Sequence, residues 1–216
     1  VIGTIGTGSM NDPYQPAEKQ YQLTRQALEL MARYGFPVHI ITKSDLVLRD
    51  VDILREISKT YAAVTFTVIT TDDKLAAVIE PGAPPPSQRL KAIEILSRAG
   101  IYAGITMMPL LPFITDTEEN VKDIVRRAKD SGAQYIIPVF GMSVRTGQRE
   151  YFYQKLDEHF PGLKARYQNN YGMQYQCPSP NHERLAGIFT EECQRRGIST
   201  GMEFFVPRQK EQPTLF

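Results

Sequence analysis

A repeating order of elements constrains this chain more than any other feature. Runs that are apolar on both faces alternate with amphipathic stretches of helical period. Residues 36–41, 64–70, 101–108 and 135–140 are rich in β-branched and aromatic side chains, as in strands covered on both sides. Residues 1–5 read as one more strand. Helices are predicted between them. One spans 18–34, with a stripe of Tyr21, Ala27, Leu28, Met31 and Tyr34. A second starts at Asp50 with Ile53, Leu54 and Ile57, and a third at Ser87 with Leu90, Ile93, Ile95 and Leu96. A fourth starts at Asp116 with Val121, Ile124, Val125 and Ala128. Asp50, Ser87 and Asp116 are the expected N-caps, and Glu119 stands at capping-box distance from Asp116. Gly35, Gly100 and Gly132 close three of the helices.

Such strands, joined through helices, make right-handed βαβ units and a parallel sheet. An open doubly wound sheet and a full or partial β/α barrel both satisfy the pattern. In both, ligands sit beyond the C-terminal strand ends. That singles out residues 6–18, 42–50, 70–73, 107–116 and 141–147. Past residue 147 the alternation stops. A helix-like stretch at 149–160 is followed by a Gly/Asn/Gln-rich region with Tyr167, Tyr171 and Tyr175, then a helix at 181–196 with Leu185, Ile188 and Phe189 inward. The expected domains are a core over 1–147 and a helical C-terminal extension over 148–216.

Composition removes several chemistries. Cys177 and Cys193 are the only two cysteines in 216 residues. Alone they cannot supply the three or four thiolates of a cysteine-ligated zinc or iron–sulfur site. They make no disulfide scaffold, so a reducing cytoplasm is the expected compartment. His39, His159 and His182 lack metal-ligand spacing, and His39 reads as a packed strand residue. No Ser-His-Asp or Cys-His pairing is legible. The net charge of +1 gives no global signal for nucleic acid. Lys122, Arg126, Arg127, Arg195 and Arg196 read as solvated helix faces. No apolar run reaches the ~20 residues of a membrane span, so no membrane partner is expected.

The polar motifs cluster at the predicted strand ends. The loop over 6–18 offers Ser9, Asn11 and Asp12 as partners for an amino or carboxylate group. It is neither GxGxxG nor a Walker loop, and a turn-rich helix start is the plainer alternative. Lys43, in Ile41-Thr42-Lys43-Ser44-Asp45, can hold a carboxylate or stand as a surface lysine. Thr67, Thr70 and Thr71 can donate hydroxyls or simply pack. Glu80 and Arg89 flank the rigid turn Pro81-Gly82-Ala83-Pro84 as a possible carboxylate–guanidinium clamp. Met107-Met108-Pro109-Leu110-Leu111-Pro112 suits a flat ring such as adenine, or the core. Residues 141–147 with Arg145 are a weak anion loop for a phosphate-binding barrel.

Taken in order, the motifs resemble a known superfamily. They are Asn11-Asp12-Pro13-Tyr14-Gln15-Pro16-Ala17-Glu18, Thr24-Arg25, Ile41-Thr42-Lys43-Ser44-Asp45 and Arg49-Asp50-Val51-Asp52-Ile53-Leu54. Glu80-Pro81-Gly82-Ala83-Pro84 with Arg89-Leu90, Ala99-Gly100-Ile101, and Pro109 to Pro112 with Asp116 continue them. Together they resemble the radical S-adenosylmethionine superfamily, in the branch of spore photoproduct lyase and its DNA repair photolyase relatives. The likeness runs from residue 1 to about 140.

The resemblance implies a partial β/α barrel. It implies a CxxxCxxC loop after the first strand, whose thiolates hold a 4Fe–4S cluster. S-adenosylmethionine then binds the cluster through its amino and carboxylate groups, and its reductive cleavage gives a 5′-deoxyadenosyl radical. A flavodoxin or ferredoxin electron donor and a nucleic-acid substrate for repair or modification go with it. By the same resemblance Ser9, Asn11 and Asp12 meet the methionine amino group, Lys43 the carboxylate, Thr67 the ribose, and Met107 and Met108 the adenine. This sequence has no CxxxCxxC. The cluster loop and the first βα unit are expected upstream of Val1, because the later motifs are intact. The alternative is a cluster-free relative that keeps the barrel as a binding or regulatory module. Thr7 stands near where spore photoproduct lyase has its hydrogen-donor cysteine, so thymine-dimer activity does not follow. Finally, Gln212-Pro213-Thr214-Leu215-Phe216 resembles peptides that dock on the bacterial sliding clamp, with Leu215 and Phe216 as anchors.

Overall fold

The computed structural model describes residues 3–207. Five parallel strands form the main sheet: β1 (Ile5–Thr7), β2 (Val38–Thr42), β3 (Ala62–Thr67), β4 (Tyr102–Met107) and β5 (Tyr135–Pro138). Their spatial order is their sequence order. A doubly wound sheet needs a point where the order reverses, and none exists among the described residues. The sheet is therefore the wall of a partial β/α barrel.

Helices α1 (Glu18–Tyr21), α2 (Leu23–Arg33), α3 (Val51–Ile57), α4 (Asp73–Ile79), α5 (Pro86–Arg98) and α6 (Glu118–Asp130) follow the strands, and a 3-10 turn at Asp45–Asp50 precedes α3. A two-stranded antiparallel ribbon, β6 (Gly141–Ser143) and β7 (Gln176–Pro178), brackets α7 (Gln148–His159) and α8 (Leu163–Tyr171); α9 (His182–Arg196) follows.

Side chains alternate across each strand, and the register sorts them onto two faces. Val38, Ile40, Val64, Phe66, Ala103, Ile105, Met107 and Ile136 join the helix-side core with Leu54, Ile57, Ile93, Leu96, Val121, Ile124 and Val125. The alternate residues His39, Ile41, Thr65, Thr67, Gly104, Thr106 and Tyr135 share the opposite, concave face. Part of the region expected as an extension enters the main core. Leu185, Phe189 and Cys193 of α9 and the following Ile198 are buried there, and Ser199 bridges to Tyr135 of β5. A second, smaller core joins Val144, Tyr153, Leu156, Tyr167, Tyr171 and Cys177.

Several local expectations are corrected. The first strand is Ile5–Thr7; residues 1 and 2 lie outside the described residues, as does the 212–216 motif. The helix read over 18–34 breaks at Gln22, in the left-handed region at φ 51°. There the Glu18 carboxylate accepts the backbone N–H groups of Thr24 and Arg25 and so starts α2 afresh. Tyr21 and Tyr34 point outward. Asp50 does stand at the N-cap of α3 but makes no side-chain capping bond, and Asp116 is not the N-cap of α6. Asp50 is turned inward, and Thr117 caps α6 by accepting from Asn120 N–H at 3.2 Å. Pro86 takes the first position of α5, where a missing N–H costs nothing, and Ser87 sits inside the helix. Helix α4, capped by Asp72, and helix α8 were not legible. Among the described residues, no helix is long and apolar enough to cross a membrane.

Candidate functional site

The site begins where the loop over 6–18 meets β2. Gly8 has φ 96°, and an added Cβ would lie 1.9 Å from the Ile41 carbonyl oxygen. Only glycine lets the loop come this close. Asp12 ties it down. Its Oδ1 accepts from Tyr14 N–H at 2.9 Å and Thr42 Oγ1 at 2.7 Å, and its Oδ2 from Lys43 N–H at 2.8 Å. The carboxylate is thus turned onto the loop and β2, where it sets the backbone position of Lys43. Ser9 and Asn11 stand exposed on the same loop.

Beneath the loop lies a charge cluster. The completely buried Asp50 accepts from Tyr14 Oη at 3.0 Å, Arg25 at 3.0 Å and Arg49 at 2.8 Å. Arg49 also reaches the buried Glu18 at 2.8 Å. Burial pushes the Asp50 carboxyl up, but the hydrogen bonds from Arg49, Arg25 and Tyr14 outweigh it and hold the carboxyl below its ordinary range. Glu18 behaves alike: burial raises it, and Arg49 with the N–H groups of Thr24 and Arg25 prevails. Burial first, then the charge of Asp50, pushes Tyr14 up.

A second clamp joins β2 to β3. Arg89 is completely buried. Its Nε donates to the Pro84 carbonyl at 2.8 Å, and its Nη1 to the Thr67 carbonyl at 2.8 Å and Glu80 Oε2 at 2.7 Å. The other Glu80 oxygen lies 3.6 Å from Lys43 Nζ. The clamp anticipated around the proline-rich turn thus exists, and it links two expected site residues, Lys43 and Thr67. The 3.6 Å contact is longer than a hydrogen bond, so the half-exposed ammonium keeps donors for a ligand anion. A cleft of about 750 Å³ runs past it, with Asp12, Lys19, Lys43 and Gln88 among its polar and Leu46 and Pro84 among its apolar lining residues.

On the concave face Thr67 is in register with Thr106. Lys43 stands just past the end of β2, outside the paired residues. Met107 points the opposite way and is completely buried in the helix-side core. It is a packing residue, because neighbours in a strand face opposite sides. Met108 does line a slot, with Val139, Met142, Tyr175 and Gln176, of about 610 Å³ at the ends of β4 and β5.

Sequence reasoning missed Thr106. Its hydroxyl is buried without a partner, and in the sequence it looks like any other β-branched strand residue. It also missed a polar floor on the concave face. Thr65 Oγ1 lies 2.7 Å from His39 Nε2 and 2.5 Å from Tyr135 Oη. The Tyr135 ring lies over Gly104, where a Cβ would come within 2.5 Å of it. Burial lowers the His39 pKa.

The residues suit one cofactor component and not the other. A 4Fe–4S cluster needs three or four cysteine thiolates. Cys177 and Cys193 are both free and buried, and no group of three His, Cys, Asp or Glu among the described residues could hold a metal. This chain's residues do not fit the cluster. What they do offer is a cation at Lys43 beside one cleft, the apolar slot at Met108, and nearly buried hydroxyls at Thr67 and Thr106, the kinds of group a nucleoside-bearing amino acid would need.

The Radical SAM superfamily model matches residues 1–128. An uncharacterized protein of Mycobacterium tuberculosis is 30% identical over 183 residues, covering 84% of this chain and 54% of that protein. A radical SAM Nalpha-GlyT isomerase of Pseudomonas phage M6 is 26% identical over 132 residues, covering 61% of this chain and 27% of the isomerase. Spore photoproduct lyase with bound AdoMet and dinucleoside spore photoproduct shares the fold at TM-score 0.64 and 13% identity, over 90% of this chain and 58% of the lyase. The chain belongs to the radical S-adenosylmethionine superfamily. It spans about half the length of its mycobacterial relative, 54%.

Proposed function

We propose that this chain is the S-adenosylmethionine-binding part of a radical enzyme that repairs or modifies nucleic acid. The reading is supported by Thr67 and Thr106, in register at the C-terminal ends of β3 and β4, with Lys43 just past the end of β2 and joined to Thr67 through Glu80 and Arg89; strand ends of this kind are where β/α barrels bind ligands. Lys43 would hold the methionine carboxylate, and Asp12 and the Glu80–Arg89 clamp would fix where that lysine stands. Ser9 and Asn11 would face the amino group. Thr67 would meet the ribose, and Met108 with Val139 the adenine. When bound, S-adenosylmethionine supplies the adenosyl group for hydrogen abstraction. The cluster and its cysteines would come from outside these residues, and a flavodoxin- or ferredoxin-type donor would supply electrons in the cytoplasm. The nucleic-acid class draws support from the spore photoproduct lyase structure, which holds a dinucleoside photoproduct.

The test compares two ligands by calorimetry. Lys43→Ala is expected to weaken S-adenosylmethionine binding about tenfold and to leave 5′-methylthioadenosine, which lacks the amino-acid end, unchanged. Equal losses for both ligands, or none, would remove Lys43 from the site. A second reading is a binding module without radical chemistry. It is favoured by the misfit between these residues and the cluster, and it predicts ligand binding with no turnover in any longer form of the protein.

A further inference from the structure

A third cavity lies apart from the Lys43 cleft and the Met108 slot and shares no lining residue with either. Its volume is about 370 Å³, within the range of small-molecule sites, and like many of them it lies where two parts of a chain meet. The barrel contributes Ile79 and Pro81, at the end of α4 and just beyond it, and Leu111 and Ile114 of the loop after β4. The extension contributes α7. Phe152, Leu156 and Phe160 recur every four residues and so share one face. All three also belong to the smaller core, which holds this wall in place. Tyr151, Lys155 and His159 recur at the same interval one position earlier, and they bring the polar atoms. The lining thus carries one ammonium, one imidazole and no carboxylate. Glu158, outside the lining, reaches both polar heads: it lies 2.6 Å from Lys155 Nζ and 3.4 Å from His159 Nε2. One carboxylate can therefore serve the two groups together. The Lys155–Glu158 pair is solvent-exposed, so it is weak, and the ammonium keeps two more donors.

We propose that this cavity binds an apolar carboxylate, an acyl or aryl acid whose chain or ring lies between α4 and α7 and whose carboxylate takes the place of Glu158 on Lys155 and His159. The inference does not depend on the reading of the Lys43 cleft. Burial of the ligand's apolar body supplies the attraction, and the cation at the edge supplies the preference for an acid over a neutral molecule of the same shape. Glu158 competes for the same two groups. Removing its charge should therefore strengthen binding of the acid, a response that a merely greasy crevice would not give.

The experiment titrates the full chain with decanoate and with 1-decanol by calorimetry, and repeats both titrations on three variants. The parent should bind decanoate about tenfold more tightly than decanol. Lys155→Met keeps the apolar stem and should abolish that preference, with decanol binding unchanged. Glu158→Gln should tighten decanoate about threefold. Ala77 is an exposed lining residue on α4, so Ala77→Trp should fill the cavity without unfolding the protein, which a thermal melt checks, and weaken both ligands about tenfold. No decanoate binding by the parent would overturn the proposal. So would decanoate binding unchanged in a folded Ala77→Trp, or the preference for the acid retained in Lys155→Met. Two other occupants are distinguished alongside. A dimer in light scattering that decanoate splits would assign the cavity to a second copy of the chain. Displacement of decanoate by a synthetic peptide of residues 208–216 would assign it to the chain's own tail. Either result would overturn the proposal as well.

Discussion

Asp50 shows how one side chain can be misjudged from its neighbours in sequence. Its position before Val51 is that of a helix cap, yet its carboxylate is buried under Tyr14, Arg25 and Arg49. A buried carboxylate is tolerable only when its lone pairs are occupied, and here three donors from separate segments occupy them. Tyr14→Phe removes one donor and should destabilise the protein by about 1–3 kcal/mol. The sign of the pH response follows from the same bonds. The Asp50 and Glu18 carboxyls titrate lower in the folded protein than in the unfolded chain. Their contribution is present above the unfolded pKa of about 4 and is lost as pH falls through the folded values. Thermal melts should therefore show a fall in melting temperature below about pH 4. In Tyr14→Phe, where Asp50 has lost a donor and its folded pKa moves toward the unfolded one, that fall should be smaller and complete at higher pH. A variant with the parent's stability at both pH 7 and pH 3 would show that the buried cluster does not act in this way.

At the scale of elements, the helices record which local signals can be trusted. The apolar stripe of α6 was legible because Val121, Ile124, Val125 and Ala128 recur at helical spacing, and all four are buried. Its cap was misplaced by one residue. Asp116 and Thr117 are both good capping residues, and the choice between them depends on a distant contact: Asp116 accepts from Ser179 Oγ at 2.6 Å, which draws it away from the helix end. Thr117→Ala should accordingly cost about 1 kcal/mol in denaturant unfolding, whereas an effect near zero would mean that the 3.2 Å bond to Asn120 adds nothing. Helix α8 escaped notice because it carries Gln168, Asn169 and Asn170 and lies between Gly162 and Gly172. It is anchored by Tyr167 and Tyr171, one turn apart and both buried in the smaller core. Tyr167 Oη donates to the Pro112 carbonyl at 2.7 Å, so tertiary contacts from the loop after β4 secure a helix of weak intrinsic preference.

For the whole molecule, strand order decided between the two architectures that the alternation left open, and the register decided which polar residues meet. One prediction belongs to this scale. Two buried cysteines on different elements cannot hold a 4Fe–4S cluster, so anaerobic incubation of the 216-residue chain with iron and sulfide should give no cluster absorption. A stable 4Fe–4S spectrum would contradict the ligand count. The sequence alone determined the βαβ alternation, the apolar helix faces, the shortage of thiolates and the position of Lys43 at a strand end. Each depends on residues near one another in the chain, through period, capping and count. The tertiary structure alone decided that Met107 faces the core while Met108 faces the slot, that Glu80 and Arg89 connect Lys43 to Thr67, and that Thr106 stands beside Thr67 with its hydroxyl unpaired. These depend on which strands adjoin and in what register, a choice made by packing between segments that lie tens of residues apart.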